Sequence, residues 1–368
     1  MQILQLSLVN FKNIASAELL LGKKFNCFVG NNGSGKTTIL DALHYLSVCK
    51  SFLNAMDTQN ISHEQPFFLI TGTFERNGES EAIHCAMKRE GKKLFKRNRK
   101  EYQRLVDHVG LLPSVIISPA DGDLISGGSD VRRKFLDGVL AQLDRNYLEQ
   151  LLAYNKVLAH RNALLKSFSE GNPFDGGLLE VWDIQLAERG ERIHALRAAF
   201  FESFRTAFQS NYKVISGGME QVDIIYQSPL DEGPMLQLLS DALVRDRAAT
   251  HTTVGIHKDD VLFTLEGYPL RKFASQGQQK SMLVALKLAQ YAVMNSQLGL
   301  LPLLLLDDIF DKLDDNRVSQ LLDLVGGPDF GQIMITDTHP KRIAELLRGH
   351  EDVKVFSVSS GQVEGSKS

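Results

Sequence analysis

Two short segments, a glycine-rich loop leading into a helix and an apolar strand ending in two acids, stand some 270 residues apart in this chain. The first is "GNNGSGKT" at 30–37, which fits G-x-x-x-x-G-K-[ST]. A strand-like run, Lys24 to Val29, precedes it, and the helix-like "TTILDALHYLSV" follows. Gly30, Asn31, Asn32, Gly33, Ser34 and Gly35 then form a loop whose backbone N–H groups can curl round the β- and γ-phosphates of ATP. The helix start at Thr37 and Thr38 adds its dipole, Lys36 adds charge, and the Thr37 hydroxyl can ligate Mg²⁺. The structural alternative is a plain glycine turn. The second segment is "LLLLDD" at 303–308, a buried strand ending in two acids. Asp307 is the candidate for the metal shell, and Asp308 the candidate to polarise an attacking water as a general base. The competing reading is a buried strand with a solvated end.

Compact nucleotide-binding units keep two such elements within about a hundred residues. Here the interval must be an insertion, so the sequence predicts an α/β nucleotide-binding domain in two parts, 1–128 and 249–368, interrupted by a helical unit at 129–248. The flanks fit. Before residue 120 short strand patterns dominate, at Ile3–Phe11, Phe25–Val29, Phe67–Phe74, Ala82–Met87 and Ser114–Ser118. From about Asp130 to Lys166 the period becomes helical through Phe135, Val139, Leu143, Leu148, Leu151, Leu158 and Leu165, which predicts one long helix. "SEGNPFDGG" is a turn, and Leu179, Leu186, Ile193 and Phe200 then step by sevens along a returning helix. Two helices of roughly 35 residues would make an antiparallel arm about 50 Å long. The seven-step stripe reads as packing between the two helices or as a seam for a partner.

The opening residues lack the plan of a signal peptide, and the longest apolar run, Leu300–Leu306, is too short to span a bilayer, so a cytoplasmic protein with no membrane partner is expected. Cys27, Cys49 and Cys85 form no C-x-x-C pair and read as ordinary thiols. A net charge of −3 gives no global attraction to nucleic acid. One local segment could: Lys88–Arg104 holds nine basic residues against two acidic ones, with Phe95 and Tyr102 between them. It reads as a solvated basic hairpin or as a DNA-binding patch.

About thirty residues before Asp307, "FASQGQQKS" opens an amphipathic helix. Ser275 is a sound N-cap for it. The same turn, with Gly277, would make a second phosphate-binding helix start, one that two head-to-tail subunits could aim at Lys36 of each other.

The order P-loop, helical arm, S-Q-G-Q-Q, LLLLDD resembles the SMC-like branch of the ABC-type ATPases, and within it the RecF family. The resemblance covers nearly the whole chain. It rests on "NFKN" at 10–13, "GNNGSGKT", "SPADGDLISGGSDVRRKFLD" at 118–137, "GIHKDD" at 255–260, "FASQGQQKS" at 273–281 and "DDIFDKLD" at 307–314. In that family's terms these are similar to Walker A, a segment entering the arm, the signature loop, Walker B and the D-loop. The resemblance implies an ABC-type ATPase head with a short, coiled-coil-like arm. It implies nucleotide contacts from Lys12, Asn13, Gly277 and Gln278, a catalytic contact from Ser275, a D-loop at Asp314, and a switch position filled by Asp337, with His339 two residues on. It further implies an ATP-dependent homodimer that clamps single-stranded, double-stranded, gapped or junction DNA and acts with RecR, RecO and RecA in recombinational repair and the SOS response. Lys92, Lys93, Lys96, Arg97, Arg99 and Lys100 would contact phosphates, as would Arg132 and Arg133. Asp308 is one methylene shorter than the glutamate usual in ABC transporters, which predicts slow hydrolysis suited to a switch.

The chain departs from the family pattern at Ala120, Gly122 and Ser129, and at Ile256 and Lys258. The alternatives are an ATP-binding subunit of a membrane transporter, which leaves the arm and basic hairpin unexplained, and a long chromosome tether, which needs a far longer arm.

Overall fold

The computed structural model describes residues 1–310 and 315–365. The chain divides into two compact units, Met1–Asp121 with Asn211–Met219 and Ser275–Ser368, and Gly122–Ser210 with Glu220–Ala274.

The first unit begins with β1 (Gln2–Phe11), β2 (Ile14–Leu20), β3 (Phe25–Val29) and α1 (Lys36–Val48). It continues through β4 (Phe67–Arg76), β5 (Glu79–Lys88), β6 (Leu94–Arg97), β7 (Lys100–Glu101) and β8 (Ser114–Ile117). Six of these strands form an antiparallel sheet in the order β2-β1-β4-β5-β6-β7. Alternate residues along it, among them Leu6, Leu8, Phe68, Ile70, Ile83 and Cys85, are buried in one core with Ile39, Leu43 and Leu46 of α1. That alternation is the signature of a sheet wet on one face. β2 is a strand the sequence pattern did not single out. Its short "IASAELL" carries small and charged residues and is held by register with β1 from Gln5↔Leu20 to Phe11↔Ile14.

The second unit is mostly helical. It comprises α2 (Asp123–Ser126), α3 (Ser129–Leu143), α4 (Arg145–Ser169), α5 (Gly176–Ser216, of which the residues from Asn211 on belong to the first unit), β9 (Val222–Gln227), α6 (Met235–Asp241), α7 (Leu243–Ala249), β10 (Asp260–Leu265), β11 (Tyr268–Pro269) and α8 (Leu270–Phe273). The expected single helix over 130–166 is two helices. Asp144 takes an extended conformation (φ −136°, ψ 111°), closes α3 through its N–H to Leu140, and caps α4 by accepting from the Asn146 N–H. An aspartate at that point competes with the helix by bonding the backbone itself. The expected buried stripe is also shifted. Leu143, Leu148, Leu151 and Leu158 are only partly buried, while Tyr147, Tyr154, Val157 and Arg161 are buried. The polar tips of the tyrosines and the arginine find partners inside, so they occupy positions that hydrophobicity alone assigns to leucine. α4 and α5 run antiparallel, with Arg161 opposite Asp183 and Gln150 opposite Arg189. The two are unequal, 25 and 41 residues. Leu179, Leu186, Ile193 and Phe200 are all buried.

The chain then returns to the first unit with α9 (Gln276–Leu298), β12 (Leu303–Leu306), α10 (Asp315–Gly326), β13 (Ile333–Asp337), α11 (Pro340–Leu346), β14 (Val353–Ser359) and β15 (Gln362–Gly365). β3 and β8 from the N-terminal part join them in a sheet ordered β15-β14-β3-β13-β12-β8, parallel except at β15. β3, β8, β12 and β13 are buried along their whole length, as parallel strands covered on both faces must be. With β13 between them, β3 and β12 deliver the P-loop and the acid pair to the same, C-terminal edge of the sheet. In open parallel sheets that edge is where ligands bind. The fold is thus an α/β unit assembled from both ends of the chain, with a helical unit inserted between them in sequence.

Candidate nucleotide-binding site

The loop after β3 is shaped by backbone contacts that admit only glycine at one end. A Cβ on Gly30 would lie 2.0 Å from the Val358 carbonyl oxygen. Gly35, at φ 117°, precedes the first turn of α1 in a conformation that L side chains rarely adopt. The loop is pinned by the Ser34 N–H to Asn31 (3.2 Å), by Gly361 N–H to Ser34 (2.8 Å) and by Gly30 N–H to Asp337 (3.2 Å). Lys36 is 3% exposed and folds back, its Nζ donating to the carbonyls of Gly30 (2.8 Å) and Asn31 (3.2 Å). Its ammonium therefore sits inside the loop, where phosphate oxygens would replace those carbonyls. Ser34 Oγ is buried with no hydrogen-bond partner among the described residues, an open position of the kind a ligand fills.

Across the sheet, Thr37 Oγ1 lies 2.9 and 3.1 Å from the two carboxylate oxygens of Asp307. Residues far apart in sequence meet here as expected. Asp307 also accepts from Thr336 Oγ1 (2.8 Å), and that same hydroxyl accepts from the Asp308 N–H (2.9 Å). Burial raises the Asp307 carboxyl above its ordinary range; the Thr336 and Thr37 hydroxyls oppose this, and the neighbouring Asp308 charge adds to it. Asp308 sits at φ 46°, and its Oδ1 is buried with no hydrogen-bond partner among the described residues. A strained carboxylate with that oxygen open beside a P-loop is positioned for a ligand rather than for stability. A cleft of about 240 Å³ is lined by Lys12, Asn13, Asn32, Gly33, Gly35, Lys36, Thr37, Thr38 and Asp308. The donor set, a hydroxyl, two carboxylates and a lysine over an open amide loop, fits a magnesium-bound triphosphate.

Lys12 and Asn13 do reach this cleft, but as braces. The Lys12 ammonium is paired with the buried Asp41 at 2.5 Å. Asn13 accepts from Thr38 Oγ1 (2.7 Å) and donates to the Gly33 carbonyl (3.1 Å), spanning the loop. Ser275 caps α9 in a reciprocal box, its Oγ accepting from the Gln278 N–H while Gln278 Oε1 accepts from the Ser275 N–H. Arg317 Nη1 donates to the Gly277 carbonyl (2.9 Å) and to Ser281 Oγ (2.6 Å), fixing the first turn. Ser275 is exposed. Asp314 lies outside the described residues. Asp337, at the expected switch position, is engaged by its neighbours. Its carboxylate accepts from the His339 N–H (2.6 Å) and from Arg342 (3.0 and 2.7 Å). His339 is the exposed N-cap of α11.

The basic segment forms β6, β7 and a tight turn in which Asn98 and Arg99 both have positive φ, closing the edge of the antiparallel sheet. Lys92, Lys96, Arg99 and Lys100 have no ion-pair partner among the described residues. Lys93 and Arg97 do. Lys93 donates to Asp57 Oδ2 (2.8 Å) and the Cys49 carbonyl (2.6 Å), and Arg97 forms a bidentate pair with the buried Glu81. That bond from Arg97 holds the Glu81 carboxyl below its ordinary range. Arg132 makes a two-point contact with Asp260 (2.6 and 3.0 Å), and Arg133 donates to the Asp259 carbonyl (2.8 Å). Unlike Lys92, Lys96, Arg99 and Lys100, these four cations already hold partners within the chain. "GIHKDD" supplies those of the last two: Asp260 holds Arg132 and the Asp259 carbonyl holds Arg133, while the Asp259 carboxylate holds the buried Arg197 and His257 bonds Tyr154 (2.9 Å). It is a clasp within the helical unit.

Sequence reasoning missed Thr336 and Asp41. Each is a polar residue on an otherwise buried face, and only the strand pairing of β12 with β13, or the packing of α1, reveals its partner. Burial pushes the Cys27 and Cys49 thiols up to about 12, consistent with inert thiols. No helix among the described residues is long and apolar enough to cross a membrane.

The family model for the RecF/RecN/SMC N-terminal domain matches residues 2–363. The DNA replication and repair protein RecF of Flavobacterium johnsoniae is 46% identical over 359 residues, covering 97% of this chain and 100% of that protein. The corresponding protein of Bacteroides thetaiotaomicron is 48% identical over 361 residues, covering 98% and 97%. Among solved structures, the recombination mediator protein RecF with ATP in the RecFOR pathway superposes with a TM-score of 0.89 at 30% identity, over 99% of this chain and 97% of that one. An Smc head domain from Pyrococcus furiosus, 17% identical with a TM-score of 0.58 over 99% of this chain and 95% of that one, shares the fold. These findings do not favour the transporter alternative.

Proposed function

The chain belongs to the RecF family, within the RecF/RecN/SMC N-terminal domain family, and from that premise we propose that it is an ATP-driven DNA clamp of recombinational repair. The observation that carries this reading is the contact of Thr37 with Asp307, beside an Asp308 Oδ1 with no partner among the described residues and an open P-loop. RecF relatives are DNA replication and repair proteins, and one is a recombination mediator described with ATP.

The P-loop amides and Lys36 bind the triphosphate of ATP, with the lysine leaving the Gly30 and Asn31 carbonyls for phosphate oxygens. Thr37 and Asp307 would hold Mg²⁺, which when bound neutralises charge on the β- and γ-phosphates. Thr336 fixes both acids through one hydroxyl, orienting Asp307 toward Thr37 and fixing the backbone that carries Asp308. Asp308 then receives the proton of an attacking water, its free oxygen being the acceptor. Ser275 and Gly277, exposed or partly so at the start of α9, approach the γ-phosphate held by a second subunit. ATP thereby favours the dimer and hydrolysis releases it, at the slow rate that suits a switch. Lys92, Lys96, Arg99 and Lys100 contact the phosphates of DNA, without base readout. Action at gapped DNA with RecR, RecO and RecA follows from the family.

Sedimentation of the wild type with ATP and Mg²⁺, with and without a gapped duplex, tests the reading. The wild type is expected to dimerise only with ATP and more tightly with DNA. Lys36→Met should neither bind ATP nor dimerise, and Ser275→Arg should bind ATP yet stay monomeric. Association that ignores nucleotide in all three proteins would overturn it.

A further inference from the structure

The last two residues of β13 serve both halves of the nucleotide site, and the second of them carries a side chain that neither half uses. Thr336 holds the two acids through its hydroxyl. Asp337 holds the P-loop through its backbone. Its carbonyl accepts from the Gly30 N–H (3.2 Å), which carries the ladder between β3 and β13 one residue past the Asp337↔Val29 pair. Gly30 has little room to settle elsewhere, because the Val358 carbonyl of β14 stands where a Cβ would meet it at 2.0 Å. The Asp337 carboxylate, in a residue 1% exposed, is turned instead to α11. Oδ1 accepts from the His339 N–H (2.6 Å), a turn closed by the aspartate's own side chain, and Oδ2 accepts from Nε and Nη2 of Arg342 (3.0 and 2.7 Å). Pro340 opens α11 with its preset φ, so the segment from Asp337 to Arg342 is fixed at both ends. A buried ion pair adds little net stability over apolar residues of the same shape, so a pair kept at this edge of the sheet points to geometry.

We propose that Arg342 is a positioning residue for the P-loop: by clamping the Asp337 carboxylate it fixes the turn that leaves β13, and so sets the carbonyl that holds Gly30. The proposal rests on the nucleotide reading of this site and deepens it. In the empty site Gly30 is held twice, at its N–H by Asp337 and at its carbonyl by Lys36 (2.8 Å). When Lys36 turns to phosphate the second hold is lost and the first remains. A loop that keeps its shape at that moment binds without the cost of being ordered. Arginine suits the task because two of its donors converge on one carboxylate oxygen, which the single ammonium of a lysine cannot reproduce.

The test measures hydrogen exchange residue by residue in the full, nucleotide-free chain, its melting temperature, and its affinity for a fluorescent ATP analogue with Mg²⁺. It compares the wild type with Arg342→Ala, Arg342→Lys and Arg342→Ala combined with Asp337→Asn. In Arg342→Ala the Gly30 amide should exchange at least about tenfold faster while amides of Leu40 in α1 and Leu305 in β12 keep their protection, and the analogue should bind at least about fivefold more weakly. Arg342→Lys keeps the charge and should fall between. The double variant removes the buried carboxylate left without its cation, so melting should return toward the wild type while Gly30 exchange stays fast and binding stays weak. Recovery of all three together, or protection lost evenly through α1 and β12, makes the pair a stabiliser only and overturns the proposal. A folded Arg342→Ala protein with unchanged Gly30 exchange overturns it as well. If Arg342→Ala does not fold, Arg342→Lys carries the same test at smaller amplitude. A wild type that binds no analogue overturns the nucleotide reading, while Gly30 exchange still decides whether Arg342 sets the loop.

Discussion

Replacing Asp307 with asparagine should make the nucleotide-free protein more stable and the nucleotide-bound protein less so. Asp307 is 4% exposed, and its carboxylate is met by two hydroxyls rather than by an ion pair. Burial, the first cause, raises its pKa in the fold; Thr336 and Thr37 pull it down and Asp308 pushes it up. A folded value above the unfolded one means that the fold favours the protonated form. This contribution to stability is fully present below the unfolded value, about 3.9, and is lost as pH rises through the folded value. At neutral pH the empty site therefore carries the cost of a buried charge. Asparagine keeps one acceptor for the hydroxyls and removes that charge. The loss of charge-assisted bonds, about 1 kcal/mol each relative to neutral ones, is set against a desolvation penalty of several kcal/mol. The net gain should be on the order of 1–2 kcal/mol, which for a unit of about 200 residues raises the melting temperature by roughly 2–8 °C. With ATP and Mg²⁺ at about a hundred times Kd, the wild type gains about 2.7 kcal/mol and the variant little, so the order of melting reverses. Calorimetry in chelator and in Mg-ATP, from neutral pH downward, checks both halves. An Asp307→Asn protein that melts below the wild type in chelator at neutral pH would refute the reasoning, as would an advantage that persists at pH values below the unfolded pKa.

The basic hairpin and the helical clasp make separate predictions. Lys92→Ala, Lys96→Ala, Arg99→Ala and Lys100→Ala combined should leave folding intact and lower the salt dependence of DNA binding, by about 0.7–0.9 in the log–log slope for each phosphate that is no longer neutralised. Fluorescence titration across salt concentrations measures it, and an unchanged slope removes the hairpin from the interface. Arg197→Met should destabilise the helical unit by about 3–5 kcal/mol, because Asp259, 1% exposed, is left buried without its cation. Hydrogen exchange should show the loss, and adding Asp259→Asn should recover most of it.

The candidate site was the most legible part of this sequence. Phosphate binding fixes glycine, lysine and threonine at set spacing, and a buried strand ending in two acids is conspicuous, so Lys36, Thr37, Asp307 and Asp308 could be read before the fold was known. Thr336 could not, because a threonine ending "IMIT" gains meaning only when β13 pairs with β12 and places its hydroxyl between the two acids. The arm was legible as helix but not in register. Periodicity counts leucines, whereas this core takes in Tyr147, Tyr154 and Arg161, whose hydroxyls, Nε and Nη1 find partners inside. The break at Asp144 is a local hydrogen bond that outweighs a continuing apolar pattern.

The cations show most plainly what pairing does to a sequence reading. Arg97, Arg132, Arg161 and Arg197 look in the sequence like Lys92, Arg99 or Arg271, yet each of the four faces a carboxylate within its own unit. A buried or half-buried pair adds almost nothing to the field outside the protein, because the two charges cancel at a few ångströms. With such pairs set aside, Lys92, Lys96, Arg99 and Lys100 around the turn between β6 and β7, and Arg271 and Lys272 of α8, are two groups of neighbouring cations with no acid partner among the described residues. With a net charge of −3, long-range attraction cannot gather DNA or nucleotide to the whole surface. Encounter with a polyanion then depends on local groups of unpaired cations, and its salt dependence should fall when such a group is altered while the total charge is kept constant.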